Sequence, residues 1–300
     1  MATSPANVQS FYVVKRPNAF AVAWKVIVKK PSRVIGLILI AIFVLMAAIG
    51  PMLYPPVLPI DPLAIYAAPS FAHPLGTDFQ GTDVLAEIIT GARFVLLGAF
   101  FAALFAVLIG TSVGLVAGYF RKWRDSVLMR ITDLFLTVPS FPLLIVLSTI
   151  WRFTSPLALG LVLGITGWAG LARAVRSQTF SLRERGFIEA ARGIGLSDWH
   201  ILTREIFPNI APYIVMNLLI ATTGAIYSEI GLFFLGIVPF STNNWGVMLN
   251  MAFTQSGAMY TKSGLLYLLS PLACIMLVTF GVVLFLDAVD ELLNPRLKGV

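Results

Sequence analysis

The chain has 300 residues, of which 58% are hydrophobic and 12% charged, with a formal net charge of +7. A soluble domain is closer to half apolar and about a quarter charged, so this composition excludes a soluble protein and calls for one bundle of membrane helices. The basic excess would suit nucleic acid on a soluble face, but here it follows the inner ends of the apolar segments, which excludes that reading.

The N-terminal residues show no compact apolar core behind an early basic cluster, so a cleaved signal peptide is not expected. Residues 19–30 (AFAVAWKVIVKK) suit a helix lying in the membrane interface, with Phe20 and Trp24 on its apolar side and lysines trailing. Pro31 should separate it from the first span. The expected organisation is an N-terminal segment over 1–33, a membrane domain over 34–287 and a C-terminal tail over 288–300.

A spanning helix needs about 20 mostly apolar residues. Six segments qualify: 34–54, 94–117, 127–150, 157–175, 212–236 and 265–287. The fourth is interrupted by glycines. Gly160 and Gly164 stand four apart, a spacing that lets helices approach closely in a membrane, although a loosely specified glycine-rich helix has the same composition. A loop over 55–93 is too long for a simple turn. A second loop on the same side, 237–264, carries Pro239 and Trp245 and few charges.

Eighteen of the 21 basic residues fall on one side of this topology, leaving Arg93, Arg152 and Lys262 on the other. The asymmetry places both termini in the cytoplasm and the basic residues against the anionic inner leaflet, so membrane lipid, not nucleic acid, is the expected partner of the charge.

The largest inward segment, 176–210, reads RSQTFSLRERGFIEAARGIGLSDWHILTREIFPNI. Ser181 followed by Glu184 forms a capping-box pattern, which predicts a helix from about Leu182. Gly195 is placed to end it in the left-handed conformation. Ser197 should cap a second short helix that stops before Pro208. Leu182, Ile188, Ala191 and Ile194 give the first helix an apolar side suited to a groove on another protein, or to an inert linker on the membrane surface.

Charges inside the apolar segments are few. Asp133 is expected to be neutralised by Arg130 three residues before it, and Glu229 either lines a path or bonds to a neighbouring helix. Asp287 and Asp290 stand at the inner end of the last segment, within reach of water. The single cysteine, Cys274, makes neither an intrachain disulfide nor a cluster, and His73 and His200 lie on opposite sides of the membrane, so no metal site is expected. No Gly-Lys dipeptide occurs, so the phosphate loop of an ATPase is absent, and no serine stands in a nucleophile-elbow pattern. The chain is not expected to be an enzyme.

The inward segment carries a family resemblance. Glu189-Ala190-Ala191, then Gly195, then Ile206-Phe207-Pro208, resembles the EAA loop of ABC importer permeases, with Phe207 where leucine is commoner. Met129-Arg130-Ile131-Thr132-Asp133 with Pro139 is similar to the third span of the dipeptide and oligopeptide permease subgroup. Glu229 through Gly236, with Trp245-Gly246 and Met248-Leu249, is similar to its fifth span and following loop. His73 through Asp78, Gly91-Ala92-Arg93 and the ending Asn294-Pro295-Arg296-Leu297 also match, and the N-terminal stretch points to the C-type subunit. Thr82 stands where the family usually has arginine, and Asn294 where it usually has aspartate.

The resemblance implies an all-α membrane protein of six transmembrane helices, the type I ABC importer permease fold, with a cytoplasmic coupling-helix loop. It implies coupling to ATPase subunits through Glu189, Ala190, Ala191, Gly195, Ile206 and Pro208, and a translocation path for which Glu229 and Asp133 are candidates. Implied partners are a second permease subunit, two ATPase subunits that hold ATP and Mg, and an extracytoplasmic solute-binding protein. The solute expected is a peptide; oligosaccharides or metal chelates are carried by related machinery. The alternative of another class, an ion-coupled secondary transporter, would place ionisable residues and broken helices near the midplane of two repeated halves, and no such repeat is visible. A structural membrane protein without a path is the remaining alternative.

Overall fold

The computed structural model describes residues 19–55, 58–151, 155–238, 243–255 and 260–293. Arg152, Pro239, the 294–297 ending and the Phe20 side chain fall outside that range. Among the described residues there is no strand. α1 (Ala19–Val28) ends before Pro31, which opens α2 (Pro31–Leu53) as its first residue, where a missing N–H costs nothing. The expected separation of the N-terminal helix from the first span is therefore present.

α3 (Val84–Phe120) is the central element and begins ten residues before the expected span. Its N-terminus is fixed by Asp83, whose side chain accepts from Leu85 N at 2.8 Å and Ala86 N at 3.2 Å. α4 (Lys122–Thr137) and α5 (Ser140–Ile150) replace the expected continuous third span. They bend by 85°, because Pro139 holds the preceding Val138 in extended backbone. α6 (Pro156–Gly167) and α7 (Ala169–Arg183) form the fourth, bent by 53° at buried Trp168 and running past the expected end.

Close packing around α3 has a sequence cause. A Cβ on Gly160 or Gly164 would come within 2.5 Å of Phe101 or Phe105 Cβ, so α6 lies directly on α3 as the spacing implied. A second stripe was not anticipated. Gly110, Gly114 and Gly118 of α3 face the carbonyl oxygens of Trp168, Ala172 and Arg176, where a Cβ would sit 2.6–2.8 Å away.

α8 (Gly186–Gly193) is the short helix of the 176–210 segment. α9 (Asp198–Phe234) is continuous, so the expected stop before Pro208 is corrected. A widened turn over Ile201–Ile206, in which Phe207 N reaches back to Leu202 O, carries the chain past the prolines at 208 and 212. α10 (Trp245–Thr254) is a helix inside what was expected to be a loop, and α11 (Lys262–Leu293) is the last span. Among the described residues, four helices are long and apolar enough to cross a membrane, and counting each bent pair as one span brings the total to six.

Near the start of α2, Arg33 is fully buried yet bridges Asp287 at 2.8 Å and Glu291 at 2.6 Å, fastening α2 to α11. Asp287 is thus paired rather than simply solvated. In the loop between α2 and α3, Asp78 accepts from Thr82 N at 2.7 Å and Gln80 N at 2.8 Å. Burial pushes its carboxyl above the usual carboxylate range, with those backbone donors pulling the other way.

Candidate coupling site

α8 begins later than its capping-box signal suggested. Ser181 belongs to the last turn of α7, and Arg185, in extended backbone, is the residue that caps α8. The helix ends as expected. Gly195 has φ +80°, Gly195 N donates to Arg192 O at 3.0 Å, and Leu196 N to Ala191 O at 3.1 Å, a complete Schellman closure. Ser197 then caps the start of α9, its Oγ accepting from His200 N at 3.3 Å.

These turns aim two faces of α8 differently. Ile188 and Ala191 are buried against Ile201, Leu202 and Ile206 of α9 and Val175 of α7. Burying Ile188 alone is worth roughly 1.5–3 kcal/mol. Glu189, Ala190, Gly195 and Pro208 are exposed, with Phe187 at 44% and Ile194 at 77%. The apolar side read from the sequence is therefore split: Ile188 and Ala191 seat the helix on its own chain, while Phe187, Ala190 and Ile194 face outward. Trp199, 71% exposed, extends that outer face.

The seat is held by a hub that sequence spacing did not reveal. Tyr119, 3% exposed at the end of α3, donates its hydroxyl to Asp198 Oδ1 at 2.6 Å. Arg183 of α7 donates to the Tyr119 carbonyl at 2.6 Å, and the guanidinium of Arg192 in α8 lies 5.5 Å from the Tyr119 ring. Four helices, α3, α7, α8 and α9, thus meet at one residue. α8 is thereby tied to α3 and α9, the two longest helices among the described residues.

Asp133 and Glu229 are not brought together. Asp133 pairs with Arg173 of α7 at 2.6 Å, not with Arg130, because α4 packs its flank on α7; both partners are more than half exposed. Glu229 is fully buried, with Oε1 accepting from Asn244 Nδ2 at 2.8 Å and Oε2 against Gly98 of α3, where a Cβ would lie 2.6 Å away. Asn244 also accepts from Gly246 N at 2.7 Å and so fixes the start of α10. Glu229 therefore bonds to a neighbouring element. A cavity of about 220 Å³ does open between α3, α5, α6 and α9, lined by small and hydroxyl-bearing residues including Ala102, Ser140, Thr166, Gly224 and Ser228, and Glu229 is outside its lining.

Comparison with known proteins covers most of the chain. Residues 110–299 match the family described as binding-protein-dependent transport system inner membrane component, and residues 19–69 the N-terminal TM domain of oligopeptide transport permease C. The chain is 35% identical over 288 residues to the dipeptide transport system permease protein DppC of Alkalihalophilus pseudofirmus, covering 92% of this chain and 90% of that protein. It is 37% identical over 188 residues to the oligopeptide transport system permease protein OppC of Mycobacterium tuberculosis, covering 61% of this chain and 65% of that one. A putative peptide permease protein of Brucella suis is 36% identical over 199 residues, 64% of each chain. Among solved structures, a chain of the MetNI methionine ABC transporter in an inward-facing conformation aligns at 18% identity with a TM-score of 0.49, over 69% of this chain and 96% of that one.

Proposed function

This chain belongs to the family of binding-protein-dependent transport system inner membrane components, and we propose that it is the membrane-spanning permease subunit of an ABC importer for peptides. The observation that carries the peptide assignment is its likeness, over nearly its full length, to a dipeptide permease. It supplies half of a path, completed by a second, related permease subunit. Two ATPase subunits bind ATP and Mg and dock on the outer face of α8 through Phe187, Ala190 and Ile194. Ala191, Ile206 and Gly195 act beneath that face, seating and aiming it, and an extracytoplasmic binding protein delivers solute. The basic distribution supports an orientation with both termini in the cytoplasm.

The Tyr119 hub supports a mechanical reading. ATP-driven approach of the ATPases moves α8; Tyr119, Arg183 and Asp198 pass that movement to α3 and α9, which wall the small-residue cavity. The test is reconstitution of the assembled complex in vesicles with its binding protein and labelled dipeptides, longer peptides or oligosaccharides. Uptake of peptides that requires ATP and survives dissipation of ion gradients is expected. Uptake abolished by ionophores, with no ATPase co-purifying, would instead make the chain a secondary transporter.

A further inference from the structure

Arg93 is the last charge on α3 before the apolar run 94–117, and it is exposed. Among the described residues no carboxylate pairs with it. It stands at the head of a groove of about 360 Å³ between α2 and α3. Ala47 and Ala48 of α2 form the floor, and Val44, Leu97 and Phe100 wall the part lying deeper along the spans. α2 climbs toward the outer side while α3 descends from it, so the groove starts at the level of Arg93 and runs toward the bilayer centre.

We propose that this groove is a phospholipid site, in which the lipid phosphate pairs with Arg93 and one acyl chain lies along Ala47, Ala48 and Phe100. The charge argues for it: a guanidinium at the edge of an apolar run attracts an anion, and among the described residues no carboxylate is paired with it. The order along α3 argues for it too, since the cation heads the apolar run 94–117 and the apolar lining residues Leu97 and Phe100 follow it along the helix. A protein occupant fits less well. Apart from Arg93 the lining is wholly apolar, with no second hydrogen-bonding side chain that would fix a protein partner's orientation. The lipid would brace α2 against α3 whatever solute is carried.

The test uses the assembled complex, delipidated in detergent and titrated with phosphatidylglycerol under native mass spectrometry. Wild type should retain a lipid that Arg93→Gln and Ala47→Phe each lose by at least about fivefold, while Arg93→Lys retains most of it. The two losses probe headgroup and chain separately, and the same spectra report assembly; should Ala47→Phe fail to assemble, Arg93→Gln decides. Diacylglycerol, which has the chains but no phosphate, should bind wild type no better than Arg93→Gln. Equal phosphatidylglycerol retention by wild type and Arg93→Gln would overturn the proposal. So would a photocrosslinker at position 97, with Arg93 intact, that captures another subunit instead of lipid.

Discussion

The Tyr119 hydroxyl donates to Asp198 Oδ1 at 2.6 Å across 79 residues of sequence, tying the end of α3 to the first residue of α9. A hydrogen bond to a charged group contributes about 1.5–3 kcal/mol. Removing it with Tyr119→Phe leaves the ring between Arg183 and Arg192 and so leaves the fold in place. Insertion and ATPase pull-down should be unchanged, while the number of ATP molecules hydrolysed per solute imported rises several-fold. Asp198→Asn, which keeps an acceptor, should fall between. A wild-type stoichiometry in Tyr119→Phe would remove the hub from the coupling route.

The orientation is open to a direct check. After Cys274 is replaced, single cysteines at Phe71, fully exposed in the outer loop, and at Glu189, exposed on α8, should report opposite sides. An impermeant thiol reagent applied to intact cells should label the first and spare the second. Labelling of position 189 alone would invert the topology.

Glu229 and Asn244 give a stability prediction. Asn244→Ala orphans a buried carboxylate oxygen and removes the cap on Gly246 N, a combined cost of about 2–4 kcal/mol. The thermal transition of the purified complex should fall by roughly 5 °C or more. Glu229→Gln keeps an acceptor for Asn244 and should retain assembly and much of the uptake. Asp133→Asn breaks only an exposed pair worth about 0–1 kcal/mol and should do likewise. Loss of uptake in Glu229→Gln, with assembly and ATPase stimulation intact, would put that carboxyl in the solute path.

What was legible in the sequence follows from the range of each signal. The apolar runs, the Pro31 break, the Gly195 turn and the Gly160/Gly164 contact are local, and each is present. The Ser181 capping signal misled because α7 continues through it: a helix already running does not restart at a serine. Pro208 misled because a widened turn can absorb a proline. The 85° bend at Pro139 was visible as a proline but was read as part of one span. The pairs Asp133–Arg173, Glu229–Asn244 and Tyr119–Asp198 join segments 40, 15 and 79 residues apart, and no spacing rule reaches across such distances.

The two faces of α8 allow docking to be separated from seating. Ala190 is exposed and Ala191 buried, so tryptophan at each position should fail differently. Ala190→Trp adds bulk only to the outer face. It should leave the chain folded and paired with its permease partner but weaken ATPase pull-down at least about tenfold, on the order of 1.4 kcal/mol. Ala191→Trp forces a large ring into the packed cluster of Ile188, Ile201 and Ile206, where overpacking costs about 1–3 kcal/mol. It should therefore expose α8 to proteolysis even before any ATPase is added. Gly195→Val strains the left-handed turn by roughly 1 kcal/mol or more and should mis-aim the helix, lowering solute-stimulated hydrolysis more than pull-down. The decisive comparison is limited proteolysis of the permease pair alone against pull-down of the ATPase. If Ala190→Trp binds the ATPase as wild type does, α8 is not the docking element and returns to a membrane-surface linker.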